Sequence, residues 1–485
     1  MNPVTTASHM LIGGELVASE SGEWIDSVDP ATEEVIGRIP NGDARDVARA
    51  VEAADRAWAA WNGIGVAARA EALRAFGRKM LERAEELLEV EVRDTGNTIA
   101  PMRGDVRTGV EGMNYYAGLA YELKGDTIPA TPGNLHFTTR EPYGVVARIV
   151  PFNHPVMFAT ARTAAALMAG NSVVVKPPET SSLSALILSE IARDALPPGV
   201  FNIVTGTGAG AGAPLVRHPG VKRIAFIGSV ETGMAIQRMA AESAVKHVTL
   251  ELGGKNPLIA FPDVDPATVI DAAIAGMNFS WQGQSCGSTS RLLLHESIHD
   301  DVVAGLVERI RAIRVGDPMD PASQMGAINS KGQYDKVLRH IANAREDGAR
   351  LLAGGGRPEG EEFRKGFWVQ PTLFGDVEQS MRIAQQEVFG PVLSVMKWST
   401  LDQAITIANA TDLGLTASIY ANNIDDAFAA ARRVRSGYVW INSVGPHYPA
   451  MPYGGMKNSG TGREEGIEEM LSYTEQKAYN LAMRK

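Results

Sequence analysis

Cysteine is almost missing from this chain: Cys286 is the only one in 485 residues. A lone thiol cannot close an internal disulfide, so a disulfide scaffold is excluded and a reducing cytoplasm is the expected location. An excess of basic residues is missing too. The formal net charge is −10, whereas a nucleic-acid partner requires a clustered basic face. No uninterrupted apolar run is long enough to cross a bilayer, so no membrane partner is expected. The opening Met1-Asn2-Pro3-Val4-Thr5 lacks the basic, apolar and small-residue succession of a secretory signal. Internal repeats and low-complexity linkers are absent as well.

What remains is the composition of a globular enzyme, 45% hydrophobic and 21% charged, at a length that implies two or three domains. Over residues 46–92 alanine and leucine recur at spacings of three and four, with charges on the other face. That pattern predicts a pair of amphipathic surface helices. From Tyr143 the texture changes. Apolar strands over 145–150, 172–175, 201–204, 223–227 and 247–250 alternate with helices over 156–169, 183–194, 213–217 and from 232. Such alternation predicts a parallel, doubly wound sheet with ligands at the carboxyl ends of its strands. A second strand–helix series follows over 256–261, 267–277, 289–295 and 301–313, and residues 354–360 read as a surface loop.

Cys286 lies in Gly283-Gln284-Ser285-Cys286-Gly287-Ser288. Small polar flanks leave the sulfur reachable, yet a lone cysteine also serves as a small buried hydrophobe. Pro151-Phe152-Asn153-His154-Pro155 leaves a strand with prolines bracketing Asn153. Its amide suits an oxyanion hole, or closes an Asx turn. Glu251 ends an apolar strand before Gly253-Gly254-Lys255. Partial burial would lift its pKa toward that of a general base; a structural ion pair is the alternative.

Lys176-Pro177-Pro178-Glu179 holds an ammonium and a carboxylate at the sheet's ligand edge. The carboxylate would accept ribose hydroxyls and repel a 2′-phosphate, or else form an exposed ion pair. Gly228-Ser229 closes a strand and opens a helix, facing an anion or simply capping. The glycines at 206, 208, 210 and 212 are spaced poorly for a phosphate cradle and fit a flexible strand-to-helix turn better.

Together with Glu387-Val388-Phe389-Gly390-Pro391 and Pro452-Tyr453-Gly454-Gly455-Met456-Lys457-Asn458-Ser459-Gly460, these motifs resemble the aldehyde dehydrogenase superfamily in order and wording. The likeness runs over residues 11–479. It implies an α/β fold: a Rossmann-like doubly wound NAD-binding domain over 1–123 and 142–253, and a second α/β catalytic domain over 254–458. A small β arm over 124–141 and 470–485 would pair across subunits to give a homodimer or homotetramer. The resemblance makes Cys286 the nucleophile, Asn153 with the Cys286 N–H the oxyanion donors, and Glu251 the general base. Lys176 and Glu179 would hold the adenosine ribose, Gly228 and Ser229 the pyrophosphate, and Glu387 the nicotinamide ribose. Phe389 and Phe152 would border the nicotinamide. Arg162 and Glu464 would lie on a proton path. NAD is the implied cofactor, with NADP less favoured, a small aldehyde the partner, and no metal is expected.

Several residues depart from the superfamily's usual pattern: Phe152 for tryptophan, His154 for an apolar side chain, Ser285 for cysteine or alanine, and Gln386 for glutamate. Ala161 replaces a bulky residue and should widen the substrate tunnel, and His447 falls at its mouth. His154, Phe158 and His447 would suit a flat aromatic, hydroxylated or carboxylated aldehyde. The rival functions are acyl transfer to coenzyme A, a thiol esterase, and a non-catalytic structural protein on the same fold. Retention of Glu251 speaks for water as the acyl acceptor.

Overall fold

The computed structural model describes residues 4, 5 and 7–483; residues 1–3, 6, 484 and 485, at the outer ends of the expected NAD-binding domain and arm, lie outside the described residues. Five parallel strands form the centre of one sheet: Phe201–Ile203, Ser172–Lys176, Val145–Ile149, Val221–Gly228 and His247–Leu252, in that spatial order. Numbered along the chain they run 3-2-1-4-5, so the winding direction reverses between the first strand and the fourth. Such a reversal opens a crevice at the carboxyl edge, because the connections on either side leave in opposite directions. Ser172–Lys176 is buried at every position, as helices on both faces require. Antiparallel edges finish the sheet: Met10–Ile12 beside Phe201–Ile203, and Gly460–Thr461 beside His247–Leu252.

A second sheet has seven strands, ordered Arg350–Ala353, Thr372–Gly375, Val392–Trp398, Arg291–His295, Pro257–Ala260, Thr416–Tyr420 and Tyr438–Ile441. All its pairings are parallel except that of the first two. Each sheet carries a separate hydrophobic core on each face. None of the described helices is long and apolar enough to cross a membrane.

The expected helix pair over 46–92 is instead three helices: α1 (Ala44–Gly63), α2 (Val66–Glu82) and α3 (Ala84–Thr95). Asp46 Oδ2 accepts from the Asp43 N–H at 3.1 Å, which fixes where α1 begins. Gly65, at φ 84°, separates α1 from α2. The break before α3 is the single residue Arg83, which pairs with Glu86 and Glu190, each at 2.7 Å, and leaves no compositional mark. A fourth helix, α4 (Ile99–Gly118), escapes sequence reading because Pro101, Gly104, Gly109 and Gly112 all lie within it. Gly109 and Gly112 have a packing role against α5 (Pro155–Met168). A Cβ at Gly112 would lie 2.7 Å from Ala161 Cβ, and one at Gly109 2.5 Å from Thr160 Oγ1.

The two arm segments come together. The strand Leu135–Pro142 pairs antiparallel with Thr474–Leu481, so the two segments first join each other within one chain as a two-stranded ribbon. Phe137 stacks on Tyr479 at 4.7 Å within this ribbon.

Candidate active site

Asn153 follows the first strand of the parallel sheet and Glu251 ends the fifth, so both stand at its carboxyl edge. Cys286 comes from the second sheet's unit, just before Arg291–His295. The fold brings all three to one cavity of about 410 Å³, a volume in the range of small-molecule sites. Arg162, Glu464, His154, Phe158, Ala161 and His447 line it as well. Ala161 is thus both cavity wall and the contact point for Gly112, and a bulky residue there would meet α4.

Cys286 is less open than its polar flanks suggest. It packs against Leu415, Tyr438, Trp440 and Tyr453, because the turn carrying it folds under the second sheet's last strands. Its Sγ lies 3.7 Å from the Tyr453 hydroxyl, and Asn256 Nδ2 donates to its carbonyl at 2.7 Å. Burial pushes the thiol up to about 12, with the Tyr453 hydrogen bond pulling the other way. Asn153 is buried, its carbonyl accepts from Asn97 Nδ2 at 2.9 Å, and its side-chain amide makes no hydrogen bond among the described residues.

Neither carboxylate oxygen of Glu251 has a hydrogen-bond partner among the described residues. Burial, and then the charge of Glu464, hold its pKa well above the usual carboxylate range against Arg162, Arg463 and Arg148. Beside it runs an ionic chain. Arg148 reaches Glu464 at 2.7 Å, Arg162 reaches Glu464 at 3.1 Å and also binds Glu465, and His447 Nδ1 meets Glu465 at 2.9 Å. Burial pushes Glu465 upward, but Arg162 and then His447 outweigh it and hold it at about 2.

The remaining predicted residues gather along the same edge. Lys176 ends its strand with Nζ donating to the Pro177 carbonyl at 2.7 Å; burial lowers it to about 8, against the pull of Glu179. Glu179 accepts from the Gly208 N–H at 2.9 Å, and Thr207 Oγ1 accepts from Gly210 N at 2.8 Å. The glycine-rich segment therefore spends its N–H groups within the protein, as a turn does and a phosphate cradle does not. Ser229 caps the helix Val230–Ser243 by accepting from the Thr232 N–H at 3.2 Å. Gly228 precedes it where a Cβ would come within 2.4 Å of the Phe226 ring.

Across the crevice, Glu387 Oε1 accepts from the Gly254 N–H at 2.9 Å. A Cβ on Gly253 would fall 2.0 Å from Glu387 Oε2, so the bare glycine is what admits this carboxylate. Phe389, at φ 53°, meets Phe152 edge to face at 5.6 Å. Carboxylates at 179 and 387 with a helix N-terminus at 229 make a donor and acceptor set that fits a dinucleotide.

Sequence reasoning missed Tyr453, Glu465 and Asp105. Tyr453 stood inside a quoted motif, where its aromatic ring drew no chemical reading. Asp105 lies on the unpredicted α4; its Oδ2 is 2.7 Å from His154 Nδ1.

Residues 16–479 match the profile of the aldehyde dehydrogenase family. A curated aldehyde dehydrogenase, tropH of Talaromyces stipitatus, is 46% identical over 463 residues, covering 94% of this chain and 90% of its own. A candidate aldehyde dehydrogenase from Burkholderia cenocepacia superposes with a TM-score of 0.96 at 39% identity, covering 98% of each chain. The Bacillus cereus aldehyde dehydrogenase solved as its NAD+ complex gives 0.95 at 36% identity, over 98% of this chain and 96% of that one.

Proposed function

This chain belongs to the aldehyde dehydrogenase family, and from that premise we propose that it oxidises a flat aromatic aldehyde, hydroxylated or carboxylated, to the acid through a covalent thioester on Cys286. The observation that carries the reading is the meeting of Cys286, Asn153 and Glu251 in one cavity at the point where the sheet's winding reverses.

Each residue has a task its surroundings suit. Sγ of Cys286 attacks the aldehyde carbon and forms a thiohemiacetal. The free amide of Asn153 and the Cys286 N–H donate to the oxygen as it becomes negative; losing one such donor costs about 100–1,000-fold in turnover. Lys176, Glu179, Ser229 and Glu387 would hold NAD, which would supply the acceptor for the hydride leaving the tetrahedral carbon. Gly228 allows the chain to approach the pyrophosphate, and Phe389 with Phe152 walls the nicotinamide side. Glu251, made more basic by burial, takes a proton from the water that hydrolyses the thioester. Arg162 and Glu464 begin a route by which that proton leaves. Glu179 disfavours a 2′-phosphate, which makes NAD preferred to NADP. The exposed edge of the arm's ribbon supports assembly as a homodimer or homotetramer.

The unpaired, buried Glu251 favours water over coenzyme A as the acyl acceptor, and adding coenzyme A should leave the rate of NADH formation unchanged. Cys286→Ala should abolish NADH formation while NAD still binds. Residual turnover above about 1% would sink the assignment, because loss of a covalent nucleophile costs orders of magnitude.

A further inference from the structure

We propose that Asp105 and His154 form a specificity element for substrates with a hydroxyl donor distant from the aldehyde, and that the cavity rejects a second carboxylate. This rests on the reading of the cavity as an aldehyde site and narrows the substrate range given above.

Asp105 sits on α4, and its carboxylate meets His154 Nδ1 at 2.7 Å. A carboxylate oxygen accepts, so Nδ1 is the donor of this pair, and in the tautomer that the bond selects Nε2 bears the lone pair. Nε2 has no hydrogen-bond partner among the described residues, and it is not among the occluded unpaired atoms either. His154 lines the cavity, so a bound molecule is the partner this arrangement leaves for that nitrogen. The ring is also held in place: Phe158 meets it edge to face at 5.7 Å and Trp281 at 4.5 Å. A fixed acceptor between aromatic walls selects a flat molecule that presents an O–H at one position.

The charges decide between hydroxyl and carboxylate. Arg162 is the only arginine or lysine in the lining, and Glu464 and Glu465 already occupy it. His447 is engaged by Glu465, and His154 by Asp105. Among the described residues of the lining a substrate carboxylate would find no cation without a carboxylate partner, so it would give up its water without gaining a charge partner, and the site discriminates against it on that ground.

The test is kcat/KM with NAD for benzaldehyde and for its meta- and para-hydroxy, methoxy and carboxy derivatives. One hydroxy isomer should exceed its methoxy counterpart and benzaldehyde by about 10-fold, the worth of a neutral hydrogen bond, and the carboxy compounds should be poorest. In His154→Phe the hydroxy-to-plain ratio should fall to near one whatever the overall rate, and His154→Gln, which keeps an acceptor, should retain part of it. If His154→Phe does not fold, Asp105→Asn, which frees the tautomer, should lower the same ratio. An unchanged ratio in these variants, or a preference for carboxy aldehydes, overturns the proposal. If short aliphatic aldehydes win, the aromatic reading fails on its own. The pair hexanal and ω-hydroxyhexanal then measures the same ratio.

Discussion

Replacing Tyr453 by phenylalanine removes one oxygen atom and little else, since the ring that packs against Tyr438 and His447 is kept. That oxygen is the only hydrogen-bond partner of Cys286 Sγ among the described residues, at 3.7 Å. Burial, and then the neighbouring Cys286, hold the phenol's pKa well above its usual value, so it stays protonated and donates. A hydrogen bond to a charged acceptor contributes about 1.5–3 kcal/mol, and the long O···S separation argues for the low end. About 1.4 kcal/mol is one pKa unit. The thiol, already pushed up to about 12, should therefore rise further in Tyr453→Phe, and the thiolate fraction at fixed pH should drop about 10-fold. Alkylation by iodoacetamide followed from about pH 7 to 10 reads this out, because the thiolate is the reacting form. With a single cysteine in the chain, every modified thiol is Cys286. Equal or faster alkylation of the variant across that range would refute the role given to the hydroxyl.

Two further outcomes are expected. Glu251→Gln should slow thioester hydrolysis more than hydride transfer, giving a pre-steady-state burst of NADH; a linear progress curve with unchanged steady-state rate would count against Glu251 as the base. Asp94 is buried, accepts from Ser27 Oγ and from the Leu183 N–H, and is lifted by burial to about 7. Its folded pKa thus lies above the unfolded value of about 3.9, so the folded state holds more protons in between and stability falls as pH rises through that window. The Tm of Asp94→Asn minus that of the parent should accordingly rise between about pH 5 and pH 7. A pH-independent difference would exclude Asp94 as the titrating group.

The parallel sheet was readable because each buried strand is a short apolar run punctuated by glycine or proline; Asn153 and Cys286 follow such punctuation and Glu251 comes just before it. Helix α4 was not readable. Gly109 and Gly112 answer to a neighbour, α5, that propensity does not see. The Asp105–His154 pair was hidden with it, since its members lie 49 positions apart. The arm shows a different limit: an alternating strand announces that it needs a partner but not which one, and here Thr474–Leu481 of the same chain supplies it. Cys286 shows a third. Its sequence neighbours are small and polar, whereas the surfaces that bury it, Leu415, Tyr438 and Tyr453, come from far along the chain.

The strand Gly460–Thr461, laid along His247–Leu252 with Glu251 opposite Gly460, also dictates an order of events during synthesis. The parallel sheet is encoded by residue 252, but its Glu251 edge stays open until more than two hundred further residues have left the ribosome. Only then can Ser459 bond to the Gly253 carbonyl at 2.7 Å, and Arg223 reach the Ser472 carbonyl at 3.2 Å. Domains generally fold as they emerge, amino-terminal first; this one must wait. An uncapped sheet edge invites pairing with other chains, so the nascent protein passes through an aggregation-prone interval that ends when its last strand docks. The same delay means that Arg162 has no Glu464 to pair with until residue 464 has emerged.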